Sequence, residues 1–117
     1  MPSGEAGADV MALVVSERAA DTEPRRVSGA SLSRREIAQL VRMRALLERD
    51  PAAAYRLARR AEREFPHGIL AEERQALAVV ALARSGAVER ARTRAAQFFA
   101  RYPQSPLRET VDAALRR

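Results

Sequence analysis

The chain has 117 residues with no cysteine, no tryptophan, no lysine, one histidine and aromatic residues at only 4%. Without cysteine, disulfides and thiolate metal sites are excluded. With three Phe and two Tyr, a core has to come from close helix contacts around a few large anchors. The apolar run from Val10 to Val15 is too short to span a bilayer. Glu5 and Asp9 stand where a signal peptide would carry its basic flank. As written, the chain therefore reads as cytoplasmic. The length suits one domain, and an apolar content of 47% is enough for a modest core.

What is abundant is alanine and arginine. All 21 basic residues are Arg, set against 15 acids for a net charge of +6. Such a balance attracts nucleic acid, anionic lipid or an acidic protein. Because the acids are interleaved with the arginines, it also describes an Arg-coated soluble helical protein.

Residues 1–32 are rich in Gly, Ser, Pro and scattered charge, a composition that buries too little to offset ordering entropy. They read as a flexible arm, with a short helix over 9–18 begun at Asp9, or a strand there. From Ser33 onward the signals are those of helices. Ser33-Arg-Arg-Glu36 is a capping-box pattern, and Ile37, Leu40, Val41, Ala45, Leu46 and Leu47 give the first helix a broad apolar side. Asp50-Pro51 starts a second helix with a cap and a proline. Its stripe of Ala54, Leu57, Ala58, Ala61 and Phe65 ends at Pro66. A third helix, apolar on almost every side from Ala76 to Ala83, should lie between neighbours. Gly86 suits the left-handed position after it. Ala91, Ala95, Phe98 and Tyr102 line a fourth helix that Pro103 ends, and Ser105-Pro106 opens a fifth. The predicted helices lie near 33–48, 51–65, 69–85, 87–102 and 106–116, with no sheet, and make an all-α domain over 33–117.

The second and fourth helices end alike, in Phe65-Pro66-His67-Gly68-Ile69-Leu70 and Tyr102-Pro103-Gln104-Ser105-Pro106-Leu107. Tyr102 stands 37 residues after Phe65, and the same step brings Ala54 over Ala91, Ala58 over Ala95, Ala61 over Phe98 and Leu70 over Leu107. A period of this size marks a stack of helical units.

Gly86 to Pro103 (GAVERARTRAAQFFARYP) resembles the second helix of a tetratricopeptide (TPR) unit. Gly86, Ala91 and Pro103 match the family's turn glycine, close-packing alanine and terminal proline. In the preceding unit Ala54, Ala61 and Pro66 match, and Arg49 replaces the turn glycine. The first helices depart from the pattern: Ala38 and Gln75 stand for its large aromatic, Arg42 and Val79 for its packing glycine. The ending looks like the repeats of bacterial envelope proteins, such as BamD-type lipoproteins and periplasmic partners of the Tol-Pal system. It also looks like helical C-terminal extensions of bacterial sigma-factor regulators. The resemblance implies an antiparallel TPR-like stack of helix pairs whose repeat positions are Ala54, Ala61, Phe65, Pro66, Gly86, Ala91, Phe98, Tyr102 and Pro103. It implies a non-enzymatic adaptor that binds a peptide or helix of a protein partner on its concave side, without a cofactor. With so few units, self-association would extend the stack. No lipobox cysteine is present, so a lipoprotein role does not carry over. As a detached part of a larger membrane protein the module would face the periplasm.

Arg56, Arg59, Arg60 and Arg63 form a basic strip outside the stripe of the second helix, echoed by Arg90, Arg92, Arg94 and Arg101 on the fourth. The strip reads as a partner-binding surface for an acidic peptide or phosphate, or as a solvated face balanced by Glu62, Glu64 and Glu89. The alternative function is a basic module that binds nucleic acid or regulates transcription. No phosphate loop or recognition-helix signature accompanies it. His67 has no partners at catalytic or metal-ligand spacing and reads as a solvated turn residue. Glu72 and Glu73 point apart on a helix and complement its dipole.

Overall fold

The structure, a computed structural model, describes residues 29–116. The segment 9–18 lies outside the described residues. The chain divides into two units, Met1–Leu32 and Ser33–Arg117; of the first, only the opening turn of a helix is described. Five helices follow in order: α1 (Gly29–Arg49), α2 (Pro51–Glu64), α3 (Ala71–Arg84), α4 (Val88–Arg101) and α5 (Arg108–Arg116). No strand occurs among the described residues, and the fold is all-α.

Local chemistry sets most boundaries. Asp50 caps α2 by accepting the Ala53 N–H at 3.1 Å, and Pro51 fills the first helical position, where a missing N–H costs nothing. The residues before the two helix-ending prolines leave the helix with nearly the same backbone, Phe65 at φ −131° and ψ 64° and Tyr102 at φ −127° and ψ 67°. A following proline disfavours helical geometry there. Gly86 has φ +92°, where an L side chain would be strained. The Ala87 N–H reaches back to the Leu82 carbonyl at 2.9 Å and the Gly86 N–H to Ala83 at 3.2 Å, the paired bonds of a Schellman ending.

Two starts differ from expectation. α1 begins at Gly29, so Ser33 lies within the helix and the Ser33–Glu36 capping box is not formed. The α5 helix begins at Arg108, and Ser105 stays in the preceding turn, where its Oγ accepts the Leu107 N–H at 3.0 Å.

The 37-residue step recurs in the turns. Gly68 N–H donates to the Phe65 carbonyl at 3.1 Å and Ser105 N–H to the Tyr102 carbonyl at 3.1 Å. Ala71 N–H donates to Gly68 at 3.2 Å and Arg108 N–H to Ser105 at 3.3 Å. The two turns satisfy their remaining amides differently. In the second, Pro106 has no N–H and Ser105 takes the amide of Leu107. In the first, the Glu36 carboxylate reaches from α1 to accept the N–H groups of Ile69 at 3.1 Å and Leu70 at 3.0 Å. Glu36 thus caps α3, whose N-cap residue Leu70 supplies no side-chain bond of its own, and its charge suits the positive end of that helix. It also pairs with Arg74 at 3.1 Å, the two side chains being 5% and 2% exposed. Arg74 in turn donates to the Phe65 carbonyl at 3.0 Å.

Side-chain pairings give the helix directions. Arg35 near the start of α1 meets Glu64 at the end of α2, so these helices run antiparallel. Glu36–Arg74 and Glu48–Arg84 join the beginnings and the ends of α1 and α3, which run parallel. Tyr55 beside Arg90 and Glu62 beside Arg94 show the same for α2 and α4. The result is two helix pairs, α1–α2 and α3–α4, stacked in one sense. α3 packs on α2, α4 and α5, and Ala76, Ala78, Val79, Val80, Ala81 and Leu82 are all buried, as its apolar circumference requires. The α5 helix closes the stack with Val111 and Ala114.

α1 is rotated from the expected face. Its buried residues are Glu36, Leu40, Met43 and Leu47, whereas Ile37 is 47% and Val41 60% exposed. The helix carries two apolar stripes, and its periodicity does not choose between them. Turning Glu36 inward to the α3 amides and Arg74 selects the stripe that shares its side.

Candidate functional site

The small and aromatic repeat positions serve the core. Ala54, Ala61, Phe65, Ala91 and Phe98 are buried, and Phe98 stacks against Phe99 and Tyr102 with ring centroids at 5.8 and 5.3 Å. Pro66 and Pro103 stand exposed in the turns and Gly86 just past α3. His67 is exposed in the first turn. Among the described residues no group of three or more histidine, aspartate and glutamate side chains could hold a metal ion. No described helix is long and apolar enough to cross a membrane.

Arg56, Arg59, Arg60 and Arg63 are all exposed on α2, but the structure does not use them as one strip. Arg56, Arg60 and Arg63 are not among the residues that line the groove below, and none of the three has an ion-pair partner among the described residues. Arg59 turns toward α4. There it lines an open groove of about 550 Å³ with Tyr55, Glu89, Arg90, Thr93, Arg94 and Gln97, floored by Leu82 of α3. Helical spacing builds the walls: Tyr55 and Arg59, four apart on α2, and Arg90, Arg94 and Gln97, at steps of four and three on α4.

Tyr55 is the centre of this groove. The guanidinium carbons of Arg90 and Arg94 lie 5.1 and 5.5 Å from its ring centroid, within cation–π range. Arg94 is held by Glu62 through two bonds of 2.8 and 3.1 Å. Burial alone would lower its pKa, but these bonds outweigh it and raise the pKa above the usual value. Arg59 approaches Glu62 only to 3.6 Å, and Glu89 is taken by Arg92 at 2.7 Å. Arg90 has no carboxylate partner among the described residues. Three guanidiniums therefore converge on one phenol, and among the described residues only Glu62 forms ion pairs with them.

The phenol responds to that field. Burial pushes its pKa up, but the Arg59 hydrogen bond, the Arg94 charge and the Arg90 hydrogen bond together bring it below the usual 10.0. The chain has only two tyrosines, so a Tyr102→Phe variant isolates Tyr55. Its phenolate absorbance should rise below pH 10, and adding Arg59→Gln should move that titration upward. The sign for stability follows: a depressed folded-state pKa favours the folded state above the unfolded pKa, and that contribution is lost as pH falls through the folded pKa. Titrations that coincide in the two variants would remove the arginines as the cause.

The basic residues of both helices were legible in the sequence, but Tyr55 was not singled out. Its spacing of four from Arg59 and seven from Glu62 was the available signal, which gains meaning once α4 is known to lie alongside. Chemically, the groove offers cationic donors around one aromatic ring, fitted to carboxylate or phosphate oxygens. Comparison with family models, with curated proteins and with solved structures found no match.

Proposed function

We propose that this domain is a non-enzymatic, TPR-like interaction module, an adaptor that takes an acidic segment of a partner protein into the α2–α4 groove. The observation that carries the reading is the convergence of Arg59, Arg90 and Arg94 on Tyr55, in which Arg90 has no carboxylate partner among the described residues. The stacked helix pairs, the positive φ of Gly86 and the complete burial of Ala91 support the TPR-like part. The resemblance to envelope repeats and sigma-factor regulator extensions makes the bacterial envelope, or its regulation, the setting of this reading.

A fluorescently labelled Glu-rich peptide, followed by anisotropy at low salt, tests the groove. Arg59→Glu with Arg90→Glu should weaken binding by about tenfold. Arg56→Glu with Arg63→Glu changes the net charge equally but lies outside the groove, and should weaken it much less. Equal losses would reduce the effect to overall charge, and no loss in either would move binding elsewhere, to the side lined by α1 and α3. A single-stranded oligonucleotide bound more tightly than the peptide, with affinity falling steeply with salt, would favour the nucleic-acid alternative.

A further inference from the structure

The charges of the Tyr55 groove leave two cations uncompensated. Glu62 holds Arg94 through two bonds of 2.8 and 3.1 Å, so one carboxylate cancels one guanidinium. Arg59 comes no nearer to that carboxylate than 3.6 Å, and Arg90 has no ion pair among the described residues. Glu89 lines the groove but is bonded to Arg92 at 2.7 Å. The surplus therefore sits on Arg59 and Arg90. Both hydrogen-bond the Tyr55 phenol, one from α2 and the other from α4, so they meet at a single polar group. A guanidinium carries five N–H donors, and each keeps donors to spare beyond the phenol.

An anion that answers both arginines has to bring two charges to one point. Two carboxylates do this poorly, because like charges held close together disfavour each other's ionisation. A phosphate monoester carries about −1.5 to −2 at pH 7 on three oxygens around one phosphorus, and guanidinium forks match that geometry. A phosphodiester, with its single charge, would answer only one of the two arginines. Further along the α4 wall, three residues beyond Arg94, Gln97 lies exposed with its carboxamide unpaired among the described residues. It offers both a donor and an acceptor, the complement of a peptide backbone. We propose that the anchor taken by this groove is a phosphorylated side chain of a partner protein, its phosphate held between Arg59 and Arg90 beside Tyr55 and its backbone against Gln97. The inference rests on the reading of the groove as a protein-binding site, and narrows its ligand from acidic segments in general to phosphorylated ones.

Anisotropy of the full chain with three labelled peptides tests this. The peptides share uncharged flanks of Gly, Ser and Asn and differ at the centre, which is a phosphoserine, a pair of glutamates or an unmodified serine. The phosphoserine peptide should bind about tenfold or more tightly than the two-glutamate peptide of nearly equal charge, and the serine peptide should not bind measurably. Arg59→Gln and Arg90→Gln, both at exposed side chains, should each remove most of that advantage while circular dichroism shows the helices retained. Equal binding of the two acidic peptides overturns the proposal and leaves the acidic-segment reading standing. An advantage that survives in both variants overturns it as well, by placing the phosphate elsewhere on the surface. Binding of neither acidic peptide overturns the proposal and that reading together. A 5′-phosphorylated single-stranded oligonucleotide that outcompetes the phosphoserine peptide would also overturn it, by putting the phosphate on nucleic acid.

Discussion

Replacing Glu36 by alanine should lower the stability of the domain by about 3 to 5 kcal/mol, the cost of leaving a buried charge without its partner. Arg74 would keep its bond to the Phe65 carbonyl but lose its counter-charge in a site where its side chain is 2% exposed. The same change strips the acceptor from the Ile69 and Leu70 amides and removes the cap of α3. Arg74→Met should cost less, because Glu36 would still hold those two amides at the positive end of the helix. Combining Glu36→Met with Arg74→Met should recover most of the loss, since Arg74 Nε has no hydrogen-bond partner among the described residues and a partly satisfied pair is replaceable by apolar groups. Recovery should stop short of full, as the two amides remain without an acceptor. Urea unfolding of the three variants measures this. Losses that simply add would show that the two side chains are not coupled.

Gly68→Ala should cost about 3 kcal/mol, because a Cβ at this position would overlap the Glu36 carboxylate and push it off Arg74 and the α3 amides. The glycine is needed for that approach and not for its backbone. Ser105 occupies the matching place in the second turn with the same hydrogen bonds, so the turn itself accepts a side chain. In a Glu36→Ala background the added methyl should therefore be nearly free. A penalty that persists there would put the cause in the backbone instead.

Both results turn on contacts that the residue order alone did not determine. Asp50-Pro51, Pro66, Gly86 and Pro103 act through the dihedral angles and amides of their nearest neighbours, so the ends they mark could be read locally. The duplicated turn was legible for the same reason. The apolar circumference of α3 announced a helix between neighbours without naming them. Three features needed the tertiary structure. Glu36 looked like the second half of a cap at Ser33, but its partners lie on and just before α3, beyond the reach of any local pattern. That long-range pairing then fixed the rotation of α1, which two apolar stripes had left undetermined, and so turned Ile37 and Val41 outward. The arginines of α2 read as one strip, yet stacking the helix pairs in one sense brought only Arg59 to the groove beside Arg90 and Arg94. Local sequence dictates where helices start and stop because caps and prolines act within a turn. Which face each helix buries depends on electrostatic and packing partners that only the assembled stack brings within a few ångströms.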